Sequence, residues 1–189
     1  VIPVISTKDD EIKLYFERFL SWLEKNVTQL RRLHLLGGET FIQHELMQSV
    51  IDILQRNPNP ELQFCVFSNL NVPDRYWDLY IDKIQHLQSR GHIQCFDLTA
   101  SIDCWGPEQE YVRYPLDLTV WEANFEYLLS ESWINLIINS TVTPLTVKTL
   151  PDLLKKIQDW RQKRNIYHYQ NSVNNHSYLF IDIFGDIFV

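Results

Sequence analysis

Hydrophobic residues along this chain alternate between two spacings. Over residues 9–25 they fall at Ile12, Tyr15, Phe16, Phe19, Leu20 and Leu23, the three-and-four step of a helix face. Leu33-His34-Leu35-Leu36 reads as a short strand, ended by Gly37-Gly38. Helical spacing returns over 41–56, with Ile42, Leu46, Met47, Val50, Ile51 and Leu54 on one side, until Asn57-Pro58-Asn59-Pro60 stops it. The same alternation predicts strands over 62–67, 93–102 and 133–142, and helices over 74–88, 119–129 and 149–161. The inward sets of those helices are Trp77, Tyr80, Ile84 and Leu87, then Trp121, Phe125 and Leu128, then Leu150, Leu153, Leu154, Ile157 and Trp160. Residues 166–169 and 178–183 are further strand candidates.

Predicted strand centres lie near residues 34, 65, 98 and 137, a step of roughly 30 to 40 residues, as a βα unit requires. The strand runs are apolar enough for a sheet covered by helices on at least one face. The expected fold class is α/β, with parallel strands and outer helices. Periodicity leaves two arrangements open, an open doubly wound sheet and an arc of a (β/α) barrel. In both, ligands sit at the C-terminal ends of the strands, so the residues that follow each run are the candidates for chemistry.

The first run ends in Gly37-Gly38-Glu39-Thr40, which holds two of the five glycines of the chain. Paired glycines let backbone approach a ligand, and Glu39 places a carboxylate at the start of the next helix. The plainer reading is a tight turn with Glu39 favouring the positive end of that helix. The second run ends in Phe67-Ser68-Asn69, short polar groups that suit a ribose or an amino acid and equally suit turns and caps. The third ends in Ser101-Ile102-Asp103, with a hydroxyl and a carboxylate on the same side by alternation. Arg113 follows, able to clamp a ligand carboxylate or to form a surface pair with Glu110.

Taken in order, these segments resemble the radical S-adenosylmethionine (radical SAM) enzymes over residues 30–163. Leu33 to Glu39 resembles the family's Gly-Gly-Glu motif, which binds the methionine amino group. Phe67-Ser68-Asn69 is similar to its Thr-Asn-Gly-like strand end, and Ser101-Ile102-Asp103 to its Ser-Ile-Asp. Glu110-Tyr111-Val112-Arg113-Tyr114 resembles the segment whose Arg contacts the cofactor carboxylate in the subgroup with SPASM or twitch extensions. Trp121, Asn124 and Leu128 match the helix that follows, and Ile138 through Val142 the next strand. The resemblance implies a partial (β/α) barrel over 1–170, with 171–189 as the start of a twitch- or SPASM-like extension. It implies S-adenosylmethionine held by Gly37, Gly38, Glu39, Ser68, Asn69, Ser101, Asp103 and Arg113. It also implies a [4Fe-4S] cluster, an electron-donor protein, and a 5′-deoxyadenosyl radical that takes hydrogen from a substrate, a peptide being the class the subgroup suggests.

The chain departs from that pattern in several places. Thr40 stands where the family usually has Pro, and Leu70 and Cys104 where Gly is common. The Cys-x3-Cys-x2-Cys motif that holds the cluster has no counterpart before Leu36. Without three thiolates no standard cluster is held, so its ligands are not in this chain. Val1 in place of Met, and the strand–Gly–strand look of residues 178–189, lead us to expect a piece of a longer enzyme. The alternative is a catalytically inactive relative that serves as a ligand- or protein-binding module.

Composition narrows the remaining classes. The chain has 189 residues, 45% hydrophobic and 22% charged, which is enough for one packed domain. Its net charge of −7 and its scattered Lys and Arg argue against nucleic acid as a partner. No run approaches the roughly 20 apolar residues of a membrane span, and Val1-Ile2-Pro3-Val4 is too short for the apolar region of a signal peptide. Three cysteines, Cys65, Cys95 and Cys104, fit reducing cytoplasm and read as free thiols. The six histidines show no i, i+4 pair, so no zinc site is expected, and His34 reads as a satisfied core residue.

Overall fold

Five parallel strands pair in the order in which the chain makes them. The computed structural model describes residues 9–72 and 74–172. The elements are α1 (Asp9–Asn26), β1 (Arg32–Leu35), α2 (His44–Arg56), β2 (Gln63–Ser68), α3 (Asp74–Ser89) and β3 (Cys95–Ser101). They continue with α4 (Pro107–Val112), α5 (Leu118–Ser130), β4 (Ile134–Val142), α6 (Leu150–Lys163) and β5 (Tyr167–Ser172). A doubly wound sheet reverses its strand order at a switch point. The order β1-β2-β3-β4-β5 has no such reversal.

Right-handed crossovers between strands taken in sequence place all connecting helices on one face. Burial follows that rule. Leu33 and Leu35, Phe64 and Val66, Phe96 and Leu98, and Ile134, Leu136 and Ile138 are at most 5% exposed and form the core with the helices. The alternate residues of the same strands face away from that core. Arg32 and His34 on β1, Asn135 on β4, and Tyr167 and Tyr169 on β5 are exposed. His34 is therefore not the core residue that its apolar neighbours suggested. In β1 the buried parity belongs to Leu33 and Leu35, and a period of two puts the residue between them outside.

The helices form where apolar spacing predicted them, but Ile42, in the 3-10 turn Thr40–Ile42 ahead of α2, and Leu154 on α6 are 49% and 41% exposed and not inward, and two further differences appear. α1 buries Leu23 completely, yet Ile12 and Tyr15 are 53% and 62% exposed, so its first turns carry their apolar side into solvent. It packs on the 3-10 turn Val27–Gln29 and on α2. α4 was missed by periodicity because six residues are too short to show a helical period. Its signals are local, Pro107 at the helix start after Gly106 and acidic residues in the first turn. Around α5 and α6, Trp105, Trp121, Phe125 and Trp160 pack ring against ring, with Trp121 and Phe125 stacked at 4.9 Å. Residues 178–183, a predicted strand, and the segment 173–189 lie outside the described residues. Among the described residues no helix is long and apolar enough to cross a membrane.

Connections at the N-terminal ends of the strands are latched by Asn59, 5% exposed. Its amide donates to the carbonyls of Val27 at 2.8 Å and Leu30 at 2.7 Å, and its oxygen accepts from the Glu61 backbone at 3.1 Å. Asn59→Ala removes the side-chain donor from both carbonyls, of which that of Val27 keeps the Leu30 backbone N–H at 3.2 Å. It should lower stability by about 3 kcal/mol, read as a lower urea midpoint with unchanged slope.

Candidate functional site

The strand ends gather their polar groups into two networks, one at β1 and β2 and one at β3 and β4. After β1, Gly37 and Gly38 take φ of +101° and +56°, and the turn that follows brings the Glu39 side chain back over β2. Its carboxylate is 9% exposed. It accepts from the Phe41 backbone at 3.2 Å, the Ser68 hydroxyl at 2.9 Å and the Asn69 backbone at 2.8 Å. The Ser68 hydroxyl lies 2.9 Å from Oε1 and 3.0 Å from Oε2, so the three donors place two contacts on each carboxylate oxygen. Burial pushes the Glu39 pKa up, and the bonds from Ser68, Asn69 and Phe41 offset part of that.

Neighbouring residues hold this carboxylate in place. The Thr40 hydroxyl donates to the Phe67 carbonyl at 3.0 Å, a tie between β1 and β2 that a proline could not make. Ser68 Oγ also accepts from the Leu70 backbone at 2.9 Å, and Asn69 Oδ1 from the Asn71 backbone at 3.0 Å. Leu70 has φ of +54°, the left-handed region that favours glycine, and its side chain is nevertheless fully buried. Asn124, from α5, clamps this turn by donating to the carbonyls of Leu70 at 2.8 Å and Val72 at 2.9 Å.

The second network centres on Asp103, 6% exposed. Arg113 donates to it through Nε at 2.7 Å and Nη2 at 2.9 Å. The Thr141 backbone, at the end of β4, adds a bond of 2.7 Å. Gln109 Oε1 holds the loop by accepting from the Asp103 and Cys104 backbones at 2.9 and 3.0 Å. Arg113 thus pairs with Asp103, while Glu110, the partner considered from sequence, instead accepts from the Leu118 backbone. This pairing uses one edge of the guanidinium, and the Nη1/Nη2 edge has no partner among the described residues. Ser101 is half-buried, and its carbonyl accepts from the Trp121 indole at 3.2 Å. Sequence reasoning missed Gln109 and Thr141. Both act on Asp103 through backbone register and a six-residue helix, which leave no pattern in the chain.

The strand face away from the helices carries its own side chains in layers set by the register. His34, Cys65, Asp97 and Asn135 form one layer, and Phe67, Thr99, Ile137 and Tyr167 the next. Ser101, Asn139 and Tyr169 come third, and Thr141 with Asn171 fourth. A cleft of about 300 Å³ opens over this face. In the lowest layer Asp97 accepts from Asn135 at 2.9 Å and lies 3.6 Å from the Cys65 sulfur and 3.7 Å from that of Cys95. Burial, followed by the Asp97 carboxylate, pushes the Cys65 thiol up to about 12 and the Cys95 thiol to about 11. Protonated thiols are poor metal ligands. Cys104, fully buried beside Gln109, is also pushed up by burial. No group of three or more His, Cys, Asp or Glu that could hold a metal ion occurs among the described residues.

No protein-family model matches this chain, and no curated protein matches it.

Two outcomes follow from the titrating groups. At about pH 8, iodoacetamide should alkylate Cys65 and Cys95 of the native chain roughly 100-fold or more slowly than an ordinary thiol. Peptide mapping after timed quenching measures this, and rapid labelling of either residue would refute its burial beside Asp97. For Glu39 the folded pKa lies above the unfolded one, so the folded chain holds a proton over an interval in which the unfolded chain has lost it. Acidification through that interval adds stability through this group, and the addition is lost as pH rises back through the folded pKa. Glu39→Gln removes the effect. The stability difference between parent and variant should shift in the parent's favour as pH falls from neutral toward the ordinary glutamate range, as urea titrations would record.

Proposed function

We propose that this chain is the cofactor-binding part of a radical SAM enzyme, an arc of a (β/α) barrel that binds S-adenosylmethionine at the C-terminal ends of β1 to β4. The observation that carries the reading is the Nη1/Nη2 edge of Arg113, without a partner among the described residues and suited to a carboxylate, at the same end of the sheet as the buried Glu39 carboxyl, whose charge can attract an ammonium. Neighbouring groups hold both side chains in place before anything binds. The strand order also supports it, since sequential parallel strands with helices on one face form part of a barrel without rearrangement.

In this reading Glu39 holds the amino group of the cofactor and Arg113 its carboxylate. Gly37 allows close approach, because a Cβ there would meet nothing within 4 Å and its φ of +101° excludes most side chains. Ser68 and Asn69 shape the Glu39 site, and Ser101 presents a hydroxyl on the open face. Asp103 acts as a positioning residue, orienting Arg113 through two bonds. The cofactor supplies hydrogen-atom abstraction once it is reduced. The three cysteines of this chain do not fit a cluster, being protonated on the sheet face or buried beside Gln109. Cluster ligands, electron donor and substrate therefore lie outside what these residues provide, and a peptide is the substrate class we favour.

Equilibrium dialysis tests the assignment with two ligands, S-adenosylmethionine and its decarboxylated analogue. The parent should bind the analogue about tenfold more weakly, the worth of one charge-assisted bidentate contact. Arg113→Met and Asp103→Asn should each bind both ligands alike, at the weaker affinity. Equal binding of both ligands by the parent, or none, would overturn the reading.

A further inference from the structure

A cation and an anion line the cleft over the open face of the sheet without meeting each other. Arg32, on β1, donates through Nε to Gln63 Oε1 at 2.6 Å, and its two Nη groups have no partner among the described residues. Asp97, on β3, accepts through Oδ1 from the Asn135 amide at 2.9 Å, and its Oδ2 has the Cys65 thiol, a weak donor, at 3.6 Å. Neither takes part in an ion pair among the described residues. β2 lies between their strands, which sets the two backbones about 9.6 Å apart across the sheet. Each side chain is therefore held by neutral neighbours and keeps its charge for a ligand.

Register puts both charges at one end of the cleft. Arg32 is level with Gln63 and Cys95, and Asp97 stands two residues higher, level with His34 and Cys65. The next levels carry Phe67 and Ile137, then Tyr169, with Thr99 and Asn139 as the polar groups among them. The His34 ring meets that of Phe67 with centroids 6.2 Å apart and continues the wall downward. A simple anion would satisfy Arg32 and be repelled by Asp97, and a simple cation the reverse. A group with both charges side by side satisfies both, which offsets the water each loses on entering. An α-amino acid has that form, an ammonium and a carboxylate on one carbon with the side chain leading away. The volume of about 300 Å³ suits one such molecule.

We propose that this cleft is a binding site for a free α-amino acid with an apolar side chain. Its carboxylate meets the Nη groups of Arg32, its ammonium meets Oδ2 of Asp97, and its side chain runs between Phe67, Ile137 and Tyr169. The site does not depend on the cofactor reading. Asp97 stands four residues before Ser101 on β3, about 13 Å below the strand ends where Glu39 and Arg113 lie.

Calorimetric titration of the 189-residue chain tests this with L-phenylalanine, with N-acetyl-L-phenylalanine, which lacks the ammonium, and with L-phenylalaninamide, which lacks the carboxylate. L-Phenylalanine should bind about tenfold more tightly than either, the worth of one charge-assisted contact. Arg32→Gln should abolish the preference over L-phenylalaninamide and keep that over the N-acetyl probe. Asp97→Asn should do the reverse. A misfolded chain cannot lose one preference and keep the other. Equal binding of the three probes by the parent, no binding of L-phenylalanine, or loss of both preferences together in each variant would overturn the proposal. S-adenosylmethionine dialysis on the same samples keeps the two sites apart, and its result should be unchanged in both variants. A parallel loss of S-adenosylmethionine would place the cofactor's own amino-acid group in this cleft and also overturn the proposal. Selective phenylalanine binding by a chain that binds no S-adenosylmethionine supports this site and sinks the cofactor reading alone.

Discussion

Each strand of this sheet hides one side and exposes the other, and the rest of the structure depends on that constraint. Parallel strands joined in sequence by right-handed crossovers send every connecting helix to the same face. That face takes the apolar parity, Leu33 through Ile138, and becomes the core. The opposite parity is then free of packing duty, and it is there that His34, Asp97, Asn139 and Tyr169 stand in register. Chemistry and stability are divided between odd and even positions of the same short segments.

The strand ends follow a different rule, because they lie where backbone groups leave the ladder and need partners. Glu39 and Asp103 meet that need. Each carboxylate collects bonds from a neighbouring strand end, Glu39 from β2 and Asp103 from β4, so each stitches two strands together. Structural and binding roles are not in competition here. An arginine held on one edge still has another. The thiols show the reverse case. Burial, and then the Asp97 carboxylate that shares their sheet face, raises the pKa of Cys65 and Cys95 and disfavours the thiolate that metal binding and nucleophilic chemistry need.

Departures from the expected pattern have physical reasons of their own. Leu70 occupies a left-handed position and gains full burial there, a contribution of about 2 kcal/mol that offsets a backbone cost of similar size. Thr40 replaces proline with a hydroxyl that binds the Phe67 carbonyl. The exposed Ile12 and Tyr15 show that helical spacing predicts a helix and not what covers it.

Much of this was legible in the chain. Apolar spacing specified α1, α2, α3, α5 and α6 and all five strands to within a few residues, because periods of 3.6 and 2 are local properties of the backbone. The Gly-Gly-Glu, Ser-Asn and Ser-Ile-Asp segments were visible as strand ends for the same reason. Strand order, by contrast, was decided only in three dimensions, since nothing in a single strand names its neighbour. So was the partner of Arg113, ten residues from Asp103 in sequence and joined to it across a loop that Gln109 folds. The outward turn of His34 and the pairing of Asn139 with Asn171 belong to the same class. Local periodicity determines which residues form an element, but register between elements determines which side chains meet, and register is a property of the folded sheet.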